Sequence, residues 1–309
     1  MAPSSKHRST KPQSPQKPAS THPEVIDPRW VVKALGIVVA IAALCGYLTL
    51  CGLFYYGQWQ FAFTPSHAVS HTPADVQLGF DPIRFGADAS GQPQLDGWWI
   101  PADVSMDPTV LLLHAGTGTI SDALPEARML HDARLNVLLF DYRGAGKSAG
   151  QHPTETSAEA DTDAALSYLT GSMHIPAKNI LVFGEGIGAS LAARLCEEHH
   201  ELPGIILQNA DGDLLQRVKQ DSRAPMVPVG LLFHENFPLA ARLHTLATPK
   251  LLITTSASKA PPLNFQEAAD PKMTVEIQSS SDTAALHASL RRFLDTYVAR
   301  PVPVLTTTH

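Results

Sequence analysis

The chain has 309 residues, 44% of them hydrophobic, and a net charge of −6, which allows one large α/β domain with an appendage or two small domains with a sizeable core. Residues 1–33 carry Lys6, Arg8, Lys11, Lys17, Arg29 and Lys33 against Glu24 and Asp27, a balance of +4; the remaining −10 excludes an extensively basic body of the kind that binds nucleic acid. Of the three cysteines only Cys196 lies in the main body, which excludes an internal disulfide framework and a Cys-rich metal site there.

Residues 1–29 are rich in Pro, Ser, Thr and Lys with little to bury, the composition of a disordered basic tail. Ala34 to Tyr56, "ALGIVVAIAALCGYLTLCGLFYY", has no charge and would span roughly 30–35 Å as a helix, enough to cross a bilayer. Trp30 and Lys33 flank one end and Tyr55, Tyr56 and Trp59 the other, as interfacial belts do. A cleaved signal peptide is the competing reading, but its apolar core would be about 7–15 residues and no small-x-small cleavage site follows. The reading is an uncleaved anchor over residues 30–58, inserted in the bilayer through residues 34–56. No Lys or Arg occurs between Lys33 and Arg84, so the positive tail stays cytoplasmic and the main body faces the other side.

The domain is expected over residues 59–299, followed by a flexible tail, 300–309. "VQLGF" with "DPIRFGA" and "LDGWWIPA" reads as an opening antiparallel pair, followed in order by "TVLLLHAG", "NVLLFDYRG", "NILVFGEG", "GIILQNA", "KLLITTS" and "MTVEIQS". Between these lie the helix candidates "SDALPEARMLHDA", "SAEADTDAALSYL", "GASLAARLCEEHH", a looser stretch from Asp211 to Leu246, "LNFQEAA" and "DTAALHASLRRFLDTYV". Apolar runs separated by amphipathic helices imply an α/β domain of about eight mostly parallel strands covered on both faces.

"NILVFGEGIGASLAARL" is a strand that turns sharply into a helix, the setting of a G-x-S-x-G nucleophile elbow, with Gly186 where the serine would stand. Together with "LLLHAGTGTISD", similar to a His-Gly-Asn-x-Gly-Asn-x-Ser-Asp oxyanion loop, and "VLLFDYRGAGKSAG", similar to an Asp-Tyr-Arg-Gly-x-Gly-x-Ser-x-Gly segment, it resembles the membrane-anchored, lidless abhydrolase-domain branch of the α/β-hydrolase superfamily, related to serine aminopeptidases and acylglycerol lipases. The likeness runs from about Tyr56 to Val298 and implies an α/β-hydrolase fold with a Ser, Asp and His triad. At the three triad positions this chain has Gly186, Ser258 and Ser280; Asp282 persists beside the last. Without nucleophile, acid and base together an alcohol-based mechanism fails, since each member needs the others. The resemblance further implies that Gly116 and Ile187 present the oxyanion amides and that His114 orients their loop.

Gly146-Lys147-Ser148-Ala149-Gly150 also matches G-x-S-x-G, which makes Ser148 the candidate for a displaced nucleophile, although no helix follows it directly. The same residues fail as a phosphate-binding loop, because Asp141 occupies its first glycine position. The histidines are scattered: His152 reads as a loop residue, His199 and His200 as a helix end, and His287 as a packing or surface residue, so no metal site and no cofactor are expected. Asp211 and Asp213 could supply an acid from the neighbouring strand end.

Three functions fit: a catalytically degenerate hydrolase relative that binds a small ester, amide or lipid-like ligand or a protein partner through the retained pocket; an active esterase, lipase or peptidase with a displaced nucleophile; and a structural membrane protein.

Overall fold

The apolar run forms one helix, α1 (Pro28–Gly57), in the computed structural model, which describes residues 27–103, 108–210, 213–255, 263–277 and 283–298. Its 30 residues span about 45 Å and none is buried, so by length and composition it can cross a membrane. The chain divides into two compact units, residues 1–49 and 50–309. The larger one starts inside α1 and not at residue 59, because Cys51 and Phe54 pack against the domain core. The terminal tails, 1–26 and 299–309, lie outside the described residues.

A 3-10 turn (Gln58–Phe61) and the short strand β1 (Thr64–Pro65) lead into the domain. Val76–Phe80 is not a strand, contrary to the apolar reading of "VQLGF". Thr72 and Asp75 cap each other across a 3-10 turn, Pro73–Val76, and Gln77 leaves it at φ +60°, so local hydrogen bonding overrides the apolar pattern. Strands β2 (Asp81–Ala87) and β3 (Pro93–Ile100) form the antiparallel opening pair.

From here strands and helices alternate: β4 (Thr109–Leu113), the two-residue β5 (Thr117–Gly118), α2 (Leu124–Asp132), β6 (Asn136–Phe140), α3 (Glu155–Ser167), β7 (Ile180–Glu185), α4 (Gly188–Glu198) and β8 (Ile205–Gln208). The looser stretch contributes α5 (Leu214–Gln220), α6 (Val229–Leu232) and α7 (Leu239–Thr245); β9 (Lys250–Thr255), α8 (Leu263–Gln266), β10 (Lys272–Ile277) and α9 (Thr283–Tyr297) complete the described chain. The eight-stranded sheet runs β2-β3-β6-β4-β7-β8-β9-β10 and is parallel from β6 to β10.

The apolar runs are continuous because both sheet faces are covered. Val110, Leu112, Val137 and Leu139 face a core shared with α2 and α9, while Leu111, Leu113, Leu138 and Phe140 face one shared with α3, α4 and α7. Successive side chains of a strand point to opposite faces, so β4 and β6 each contribute to both cores.

Candidate functional site

The turn from β7 into α4 has the geometry of an elbow. A side chain at Gly184 would run into the Gly188 carbonyl at 2.5 Å, so strand and helix approach too closely for anything but glycine. Gly186 sits between them at φ +55°, where an added Cβ would lie 3.0 Å from the Ala115 Cβ and 3.2 Å from its Cα. This is the backbone conformation that a residue with a β-carbon adopts only at a cost of about 1–3 kcal/mol. The position is shaped for a nucleophile and carries no atom able to attack.

Across from it, the loop between β4 and β5 begins at His114, which is 3% exposed. Nδ1 accepts the Gly116 N–H at 3.3 Å, and Tyr142 packs on the ring at 4.5 Å while its hydroxyl donates to the His114 carbonyl at 3.0 Å. Burial pushes the imidazole pKa down to about 4, so His114 is neutral near pH 7. The Gly116 amide is therefore turned toward His114 and not presented to the cavity, and the Ile187 and Phe63 side chains close over its Cα. Ile187 caps the start of α4 and is itself 7% exposed.

The loop is braced by the segment that follows α1. β1 pairs in parallel with β5, Thr64 donating its amide to the Gly116 carbonyl at 3.1 Å and Ser66 to the Gly118 carbonyl at 2.9 Å.

Ser148 is far from the role of a displaced nucleophile. It is 7% exposed, its hydroxyl donates to the Asp141 carbonyl at 2.6 Å, and it accepts the Asp96 amide at 2.9 Å. Both functions of the hydroxyl are spent on tying β3 to the end of β6. His152, the nearest histidine in sequence, stacks on Trp59 with ring centroids 4.7 Å apart. Asp141 in turn accepts the Ile120 amide at 2.8 Å, linking β6 to the loop before α2, and burial pushes its carboxyl up to about 7.

A cavity of about 320 Å³ opens over Gly186, walled by Phe61, Ala115, Thr117, Glu185, Asn209 and Arg217. Its lining contains a polar pair that motif matching passed over: Asn209 donates to Glu185 at 3.1 Å. The preceding residue, Gln208, donates to Glu126 at 3.2 Å. Burial, then the charge of Glu185, pushes Glu126 up to about 7; burial likewise raises Glu185. The signal was present inside the elbow string itself, as Glu185, and in the "QN" that ends β8. Polar side chains at the carboxyl ends of adjacent parallel strands mark the ligand face of an α/β sheet.

The remaining expected residues do not converge here. Ser258 and Ser280 lie outside the described residues, as do Asp282 and Asp211. Asp213 accepts the Ala240 amide at 2.9 Å at the start of α7, a capping role. His287 lies within α9. Asp163, Glu198 and His199 cluster, but Arg194 donates to Asp163 at 2.9 and 2.7 Å and contacts Glu198 at 2.9 Å, so a guanidinium already supplies the counter-charge.

No family model matches the chain. It is 29% identical to an uncharacterised Mycobacterium tuberculosis protein over 83% of this chain and 94% of that one. It is 30% identical to the α/β hydrolase domain-containing protein WAV2 of Arabidopsis thaliana, over 47% of each chain, and so spans about half of that relative. Among solved structures, an esterase of Pyrococcus furiosus superposes with a TM-score of 0.60 at 20% identity, covering 77% of this chain and 99% of the esterase. Elbow, strand order and these likenesses agree on the architecture: the chain has the α/β-hydrolase fold.

Proposed function

We propose that this protein is a single-pass membrane protein, anchored by α1 with its basic tail in the cytoplasm and its domain on the opposite side, in which a hydrolase site has been disarmed and kept as a binding pocket. The observation that carries the reading is Gly186 at φ +55° on an otherwise preserved elbow, beneath a cavity of about 320 Å³. The engagement of Ser148 by Asp141 and Asp96 supports it, since the serine that matched the formula is committed to packing. The pocket offers the Glu185–Asn209 pair and the exposed Arg217, suited to a small ester, amide or lipid-like ligand with a polar head.

The esterase among the fold neighbours favours a second reading, a working hydrolase whose nucleophile lies elsewhere. Fluorophosphonate labelling of the full-length protein in detergent decides between them, run beside a Gly186→Ser, Ser258→Asp, Ser280→His triple variant. The degenerate reading expects no label on the parent and label on the triple variant. A labelled parent overturns it, and the modified peptide then identifies the nucleophile.

A further inference from the structure

A larger cavity, about 700 Å³, opens beside the elbow pocket, where Leu53, Phe54 and Gly57 of α1 face Val218, Met226 and Val227. The volume falls inside the roughly 300–1,000 Å³ of ordinary ligand pockets, and the facing walls are apolar. Its charged lining residues, Asp221 and Arg223, neutralise each other at 2.8 Å. Among the described residues outside α1, the large apolar side chains left exposed are Phe61 (37%), Met226 (60%) and Leu231 (82%). Phe61 and Met226 line this groove, and Leu231 lies on α6, whose Leu232 carbonyl accepts from Gln58 just beyond α1. Exposed apolar side chains gathered at one place mark an interaction surface.

Its occupant follows from what forms the wall. Leu50, Leu53 and Phe54 belong to the same uncharged stretch as the span, and Tyr55, Tyr56 and Trp59 follow at the level where aromatic residues meet a bilayer surface. With α1 taken as a span, a groove at that level would adjoin the acyl region. Phe61 also walls the cavity over Gly186, so the two spaces share one side chain. Arg217, exposed on α5, lines that second cavity and provides a cation for an anionic head. The acid in the same wall, Glu185, is bonded to Asn209.

We propose that the groove between the end of α1 and residues 218–227 holds an acyl chain of a bilayer lipid, whose anionic headgroup passes Phe61 to reach Arg217 above Gly186. The proposal rests on the reading of α1 as a membrane span and assigns the retained pocket a lipid as its ligand.

The test is photo-crosslinking of the full-length protein in phosphatidylglycerol vesicles doped with phosphatidylglycerol bearing a diazirine on its acyl chain, with adducts mapped by mass spectrometry. Adducts on residues 218–227 as well as on 34–49 are expected. Gly57→Trp directs a large side chain into open space, since nothing lies within 4 Å of a Cβ there, and should abolish the 218–227 adducts while those on 34–49 persist. Met226→Glu, at an exposed position, should do the same without disturbing a buried site. Adducts on 34–49 but none on 218–227, or 218–227 adducts that survive both variants, overturn the lipid site. Absence of adducts on 34–49 overturns the membrane anchor, whereas fluorophosphonate labelling of the parent overturns the disarmed site alone.

Discussion

Ser148 and Asp141 are joined by a 2.6 Å hydrogen bond from the serine hydroxyl to the aspartate carbonyl, and the same hydroxyl receives the Asp96 amide. Ser148→Ala removes both bonds in a buried site and should lower stability by about 1–3 kcal/mol. Urea unfolding measures the loss; fluorophosphonate labelling of the same variant should match the parent.

Gly186→Ser should destabilise the domain without conferring activity. The left-handed backbone and the 3.0 Å approach to Ala115 give an expected loss of about 1–3 kcal/mol, or a fall of several degrees in melting temperature. An unchanged melting temperature would show that the elbow tolerates a side chain and that relief of strain is not what the glycine provides.

Asp141 and His114 should give stability opposite pH slopes. The Asp141 carboxyl is raised from 3.8 to about 7, so its contribution is fully present below the unfolded value and lost as pH rises through 7. The His114 imidazole is lowered from 6.5 to about 4; its contribution is present above 6.5 and lost as pH falls through 4. Relative to Asp141→Asn, the wild type should lose stability between about pH 5 and about pH 8. Chemical denaturation at both pH values checks the sign, and a constant difference would contradict it.

Gln58 is 1% exposed and bridges the end of α1 to the loop before Glu235. Its amide nitrogen donates to the Tyr55 and Leu232 carbonyls at 2.8 and 3.3 Å, and its oxygen accepts the His234 and Glu235 amides at 2.7 and 3.3 Å. Gln58→Leu keeps much of the volume and removes these four bonds together with the 2.6 Å contact of the amide nitrogen with His234 Nδ1, so the His234 and Glu235 amides should exchange hydrogen faster while those of β4 and β7 do not. Uniform acceleration would mean a global loss instead.

Much of the sheet was legible because β4, β6 and β8 are buried on both faces and therefore read as unbroken apolar runs. Context also separated the two G-x-S-x-G-like strings: Gly186 is followed at once by α4, and Ser148 by a loop. What remained hidden depends on residues far apart in sequence. No local pattern announces that Gln58 reaches residues 232–235, that Gln208 finds Glu126, or that two residues after α1 pair with two in the oxyanion-type loop. "VQLGF" misled for the opposite reason, since a capping pair just upstream of it decided a turn that apolar alternation could not register.

The β1 and β5 pairing also has a mechanical meaning. Tension from the end of α1 loads the Gln58 bonds to residues 232–235 and the Trp59–His152 stack before it reaches Thr64, whose bonds end on the carbonyls of Gly116 and Gly118. The segment after α1 is thus coupled to the rim of the cavity over Gly186, which Thr64 and Thr117 line, through backbone bonds that lie outside the central sheet.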